Sequence, residues 1–166
     1  IVARVAGPSV LGTIAFSMAF VNIFIFITDL GIPTAYIKSI NDGDNEENAN
    51  STFLRIQSIL ILVFFSVVSS WYLIQKKVFQ YDFESGNHEI VILVFIISIS
   101  IQRFYQTIKT IFIARTEQAK QAVPDVIYTI LFQFLRLIVV LVGYKAIAIA
   151  FSNLIATIFI FPFYYY

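Results

Sequence analysis

Apolar runs of about 20 residues, each long enough as a helix to cross about 30 Å of hydrocarbon, follow one another along this chain with only short polar interruptions. Strands of a membrane barrel would be about half as long and would alternate strictly between apolar and polar residues, which these runs do not. The pattern places about five helical spans, over 10–38, 52–73, 89–113, 123–142 and 145–166. With 59% of its 166 residues hydrophobic and only 13% charged, the chain has more apolar surface than a soluble fold of this size hides. The expected fold is therefore all-α: a polytopic transmembrane helical bundle. Its connections, "SINDGDNEENANS", "QKKVFQYDFESGNH", "ARTEQAKQA" and "GYK", are too short for a soluble domain and make successive helices antiparallel neighbours.

Several function classes drop out at this stage. The absence of cysteine removes disulfides, thiolate metal sites and thiol catalysis. A net charge of +1 without a basic cluster gives nucleic acid nothing to bind. No glycine-rich phosphate loop, zinc-binding HExxH or nucleophile–base pair occurs, so no enzyme and no cofactor is expected. Asp42, Asp44 and Glu46 fit the first ligand positions of a calcium loop. Glu47 and Phe53 then stand where that loop needs Gly and Glu, and the run reads as a solvated acidic loop. Asn50-Ser51-Thr52 has the form of a glycosylation acceptor, and His88, the only histidine, reads as a surface residue in a polar loop. The chain begins on Ile1 and stops inside an apolar block, "FPFYYY", and it reads as a piece of something longer. "IVAR" is expected to be the exit of an earlier span rather than a signal peptide.

Polar groups inside the spans carry the functional signal, because a charge near a helix centre costs about 2.5–3.5 kcal/mol on insertion scales and must be compensated. In the fourth span Asp125, Thr129, Gln133 and Arg136 fall at i, i+4, i+8 and i+11, one stripe on an otherwise apolar helix. The third span repeats this with Ser98, Gln102, Gln106 and Lys109, flanked by Arg103 and Thr110. Two such stripes suggest a shared wet surface; the alternative is hydrogen bonding from helix to helix within a packed bundle. Arg136 has no carboxylate within one turn, which favours a watery or anion-facing position. In the first span Asn22 and Asp29 are expected on one face. Pro33 has no N–H for the Asp29 carbonyl and Gly31 loosens the same turn, so the helix should bend or open there. Such a break beside an acid can act as a hinge or hold a coupling ion. The competing reading makes Asp29 a fixed tie to Arg103 or Arg136.

Orientation by Lys/Arg asymmetry gives a tie: Lys38, Arg55, Arg115 and Lys120 on one side, Arg4, Lys76, Lys77 and Lys145 on the other. Adding Arg103 and Lys109 places the acidic 39–51 loop in the cytoplasm. Trp71 and Tyr72, just before Lys76 and Lys77, fit an interfacial anchor.

The stretch "ARVAGPSVLGTIAFSMAFVNIFIFITDLGIPTAYIK" resembles the amino-terminal region of polysaccharide flippases, the O-antigen and exopolysaccharide exporters related to multidrug and toxin extrusion transporters. Arg4, Gly7, Pro8 and Gly12 carry the likeness in the turn; Asp29, Leu30, Gly31, Ala35 and Lys38 carry it further on. Ala6 and Lys38 depart from the bulky aliphatic and the Arg that are common in the family. The resemblance implies a two-lobed transporter of the cytoplasmic membrane, with this chain most of its first lobe and the second lobe absent. It also implies alternating-access transport of a polyprenyl-pyrophosphate-linked oligosaccharide, with Na⁺ or H⁺ as conceivable coupling ions and a polysaccharide polymerase and glycosyltransferases as partners besides the bilayer. In that picture Arg136, Arg103 and Lys109, with Gln133 and Gln102, bind the pyrophosphate, and Arg4 and Arg55 stand nearer the cavity mouths. Asp29, Asn22, Gly31 and Pro33 form the hinge or coupling-ion site. The rivals are a cation-coupled multidrug exporter of the same superfamily and a non-transporting membrane scaffold.

Overall fold

The computed structural model describes residues 2–77, 86–143, 146–160 and 162, and within these it leaves the side chains of 2–6, 86–87, 118 and 121 undescribed. It is helical, with no strand among the described residues. The helices are α1 (Val2–Asn22), α2 (Phe26–Asp29), α3 (Ile32–Asn41), α4 (Glu46–Lys77), α5 (Gly86–Ala114), α6 (Gln118–Leu141) and α7 (Ala146–Phe159).

Three stretches, Glu46–Lys77, His88–Ala114 and Ala122–Leu141, are long and apolar enough to cross a membrane. Gly7–Asn22 and Phe26–Asn41, bent by 41° at their break, meet the same test only as a pair, which brings the number to four when the two are counted as one span. The last expected span contributes only the 14-residue Ala146–Phe159, shorter than a crossing requires, and most of its expected end lies outside the described residues.

The first span departs most from a straight rod. Gly7 takes φ 80° ahead of Pro8, a kink inside α1 that glycine adopts without strain. The expected opening at Gly31 and Pro33 is present. α2 ends at Asp29, Leu30 and Gly31 both turn left-handed (φ 40° and 75°), and Pro33 sits in the first turn of α3, where its missing N–H costs nothing. A second break at 23–25, where Phe24 and Ile25 bond back three residues instead of four, is announced by no Gly or Pro.

The acidic segment is less of a loop than expected. α3 runs to Asn41 and α4 begins at Glu46, because Asn45 caps the new helix by accepting the Asn48 N–H at 3.1 Å. Glu46 and Glu47 in its first turn and Lys76 and Lys77 in its last match the helix dipole. Asn50 of the glycosylation-like triplet therefore lies inside α4, bonded to the Tyr36 hydroxyl. His88 is likewise helical rather than in a loop, and its Nε2 lies 2.6 Å from Thr13 Oγ1 on α1. Thr13 Oγ1 also lies 3.0 Å from the Ser9 carbonyl.

α5 is the central helix and packs against α1, α3, α4, α6 and α7. Val21, Phe64, Val68, Val91, Ile92, Ile96 and Ala150 meet in the main core. Close approach of small residues and interhelical hydrogen bonds hold helices together in lipid, where burial of apolar area gives little. The buried Ala150, Ser152, Asn153, Ala156 and Thr157 of α7 fit that requirement. The opposite kind of surface runs along α6, where Val123, Val126, Ile130, Phe134, Leu137 and Leu141 recur every three or four residues and stay exposed, as a lipid-facing stripe does.

Candidate functional site

Two polar clefts flank one face of α5, and Arg103 and Gln106 line both. Arg103 is three residues, or about 4.5 Å along the axis, past the midpoint of Gly86–Ala114, well inside the membrane-spanning part of the helix. The first cleft, about 270 Å³, is walled by Thr28, Asp29, Pro33 and Thr34 from the broken span, Gln57 from α4 and Thr110 from α5. The second, about 160 Å³, lies toward α6 and α7 and is walled by Gln102, Tyr105, Lys109, Asp125, Tyr128, Thr157 and Ile160.

The charges in these clefts are treated differently. Lys109 forms an ion pair with Asp125 across α5 and α6, so its charge is already answered. Arg103 has no ion pair among the described residues, and its Nε is buried without a hydrogen-bond partner. Asp29 faces Arg103 across the first cleft, near enough for its charge to act on the guanidinium, yet stays exposed and makes no ion pair among the described residues. Among the described residues, the fixed tie of Asp29 to Arg103 or Arg136 is thus absent.

Gln102 is engaged structurally. Its Nε2 lies 3.2 Å from Tyr128 OH, Asn153 Oδ1 and Thr157 Oγ1, and Asn153 Nδ2 donates to the same tyrosine at 3.1 Å. This network joins α5, α6 and α7, the helix-to-helix alternative considered for the stripe. Gln57 does similar work, donating from Nε2 to the Thr28 carbonyl at 2.7 Å and so tying α4 to the helix break. Its Oε1 is left buried with no partner among the described residues.

Arg103, Lys109, Gln102, Asp29 and Pro33 are therefore brought to the two clefts, and Arg136, Gln133, Arg55, Asn22 and Gly31 are not. Arg136 lines neither, although its Nε too is buried and has no partner among the described residues. The reason is axial. Arg136 is 11 residues beyond Asp125, about 16 Å along α6. Gln133 is exposed because eight residues at 100° each return it about 80° from Asp125, off the packed face. Arg55 is exposed on α4, and Asn22 ends α1 before the 23–25 turn, which destroys the register it was expected to share with Asp29. Gly31 forms the break but does not line the cleft, and the Arg4 side chain lies outside the described residues. Gln57 and Asn153 were passed over in the sequence; each is a strongly polar group in an apolar run, the signal that marked the other stripes. No cluster of three or more His, Cys, Asp or Glu able to hold a metal ion occurs among the described residues.

Span-length apolar helices packed around a polar, arginine-bearing face define a multi-pass integral membrane protein. The chain belongs to the polysaccharide biosynthesis protein family, whose sequence pattern it matches over residues 1–166. That family is generally made up of transporter-type proteins rather than enzymes, and membership suggests a role in polysaccharide biosynthesis or export. None of the curated proteins and none of the solved structures matches the chain.

Proposed function

We propose that the chain is most of the first lobe of a two-lobed flippase that carries a polyprenyl-pyrophosphate-linked oligosaccharide across the cytoplasmic membrane by alternating access. The observation that carries this reading is Arg103: a guanidinium within a membrane span, between two polar clefts, with no ion pair and no partner for its buried Nε among the described residues. Such a group needs an anion or water, and arginine's planar donors match phosphate oxygens while keeping their charge. Arg136 acts as a second anion contact farther along the route. Lys109, already neutralised by Asp125, holds α6 in place. Asp29 sits at the hinge formed by Leu30, Gly31 and Pro33, and is the carboxylate a coupling Na⁺ or H⁺ would engage.

The test is export of surface polysaccharide by cells carrying Arg103→Gln, with insertion checked by protein level in the membrane. Loss of export at normal insertion is expected. Normal export would remove Arg103, and with it this reading. The exposed Asp29 carboxylate gives a cation-drug exporter its one supporting feature, and drug accumulation in the same cells separates the two: the flippase leaves it unchanged.

A further inference from the structure

A groove of about 490 Å³ runs between α3 and α4, away from the two clefts and sharing no lining residue with them. Each helix gives it one stripe: positions 32, 35, 36 and 39 of α3, at i, i+3, i+4 and i+7, and positions 48, 49, 52, 53 and 56 of α4 in the same rhythm. Tyr36 and Phe53 are buried at its base, stacked with ring centroids 4.2 Å apart.

The groove is graded along its length. At the α3–α4 turn its walls are Ser39, Asp44, Asn45 and Asn48. Ile56 stands 11 residues beyond Asn45, about 16 Å farther along α4, with Ile32 at the same end of α3. Half of about 30 Å of hydrocarbon is about 15 Å, so with its polar end at the membrane surface the groove is as long as one leaflet is deep. A phospholipid makes the same change over the same distance, from head to acyl chain.

The polar end also selects the head. Residues 39–51 hold four carboxylates, Asp42, Asp44, Glu46 and Glu47, and no Lys or Arg. All four are exposed, and among the described residues only Glu46 is answered, by an ion pair with Arg115. Lys38 and Arg55, the nearest cations in sequence, line no part of the groove. Anionic heads are repelled by such a surface. A quaternary ammonium brings no N–H to a carboxylate and is held instead by open aromatic faces, whereas Tyr36 and Phe53 are stacked on each other. A primary ammonium brings three donors. Asp44 is fixed in the wall to meet them, its Oδ2 accepting the Ser39 hydroxyl. The adjoining phosphate meets the start of α4, where the first N–H groups have no partner within the helix, Asn45 caps that of Asn48, and the helix dipole favours an anion.

We infer that this groove binds one phospholipid whose head carries a primary ammonium, with the ammonium on Asp44, the phosphate at the start of α4 and one acyl chain along Ala35, Ala49 and Ile56. Because α3 follows the break at Leu30 and Gly31, the lipid also fastens the segment beyond that break to α4. The inference does not rest on the flippase reading; it needs only that α4 crosses the bilayer.

The experiment places the intact protein in phosphatidylcholine nanodiscs with a small, equal fraction of a photoactivatable probe: phosphatidylethanolamine, phosphatidylcholine or phosphatidylglycerol, each with the same reactive acyl chain. Adducts mapped to residues 32–56 should be about 10-fold more abundant with the ethanolamine head than with either other, the effect of one charge-assisted hydrogen bond. Asp44→Asn keeps an acceptor for Ser39 and should bring the ethanolamine-to-choline ratio toward one. Asp42→Asn, on the same turn but outside the groove wall, should leave the ratio unchanged. Ala35→Phe should remove the adducts of all three probes; Ala35 is exposed, so the ring enters the groove without entering the core. Equal labelling by the three heads, stronger labelling by phosphatidylglycerol, or a ratio that Asp44→Asn moves no more than Asp42→Asn does, overturns the inference. Absence of adducts from residues 32–56 with every probe would mean that another transmembrane segment covers the groove, and overturns it as well.

Discussion

The Lys109–Asp125 pair allows a structural tie to be distinguished from a substrate contact. Lys109 has only 17% of its side chain exposed, whereas Asp125 has 41%, so the two ends differ in how much water can replace a lost partner. Removing one member of a fully buried pair costs about 3–5 kcal/mol, and removing one of an exposed pair about 0.2–1. Asp125→Asn strands the more buried charge and should cost about 2 kcal/mol. Lys109→Met leaves the better-hydrated carboxylate and should cost about 1 kcal/mol after the same discount for solvent screening. The double variant should then be less destabilised than the sum by about 1 kcal/mol. Reversible unfolding of the intact protein in mixed micelles, run as a double-mutant cycle, measures all of these terms. Export should follow stability, so that Lys109→Met in a well-folded preparation keeps most of its transport. A coupling energy near zero, or abolished export with stability intact, would refute the assignment of Lys109 as a tie.

Other consequences are simpler to state. Gln102→Leu removes the donor at the centre of the α5–α6–α7 network and should cost about 1 kcal/mol in the same unfolding assay, in line with interhelical hydrogen bonds in membranes. Gly31→Ala places a Cβ on a residue at φ 75°, where the backbone rather than any neighbour resists it; a loss of about 1 kcal/mol and slower transport are expected. Arg136→Ala should lower export of surface glycan less than Arg103→Gln does, because Arg136 lines neither cleft.

The parts of this arrangement legible in the sequence were those where one residue conflicts with its surroundings. Arg103 and Lys109 stood out because a cation in an apolar run must be compensated. The break at Gly31 and Pro33 was readable because proline withdraws a specific hydrogen bond from the Asp29 carbonyl. Pairing between helices was not readable. Lys109 and Asp125 were placed on facing stripes, yet whether they meet depends on the register of α5 against α6, which local periodicity does not contain. The four-residue stripe on α6 was also too generous. It ignored the angular drift that carries Gln133 off the packed face and the rise that leaves Arg136 a long way from Asp125. The turn at 23–25 left no mark at all, since Ile23, Phe24 and Ile25 are ordinary residues for a continuing span.

The central claim is that water, and then phosphate, reaches Arg103 within the membrane-spanning part of the bundle. Because the chain has no cysteine, Gln106→Cys places a single thiol in this sequence at the wall shared by both clefts, and Ile130→Cys places one on the lipid-facing stripe. A membrane-impermeant thiol reagent applied to the intact protein in bilayers open on both sides should label position 106 and not 130, and a short-chain polyprenyl diphosphate should protect 106. A thiol at 106 that stays as unreactive as the one at 130 would mean the clefts are dry and the account is wrong.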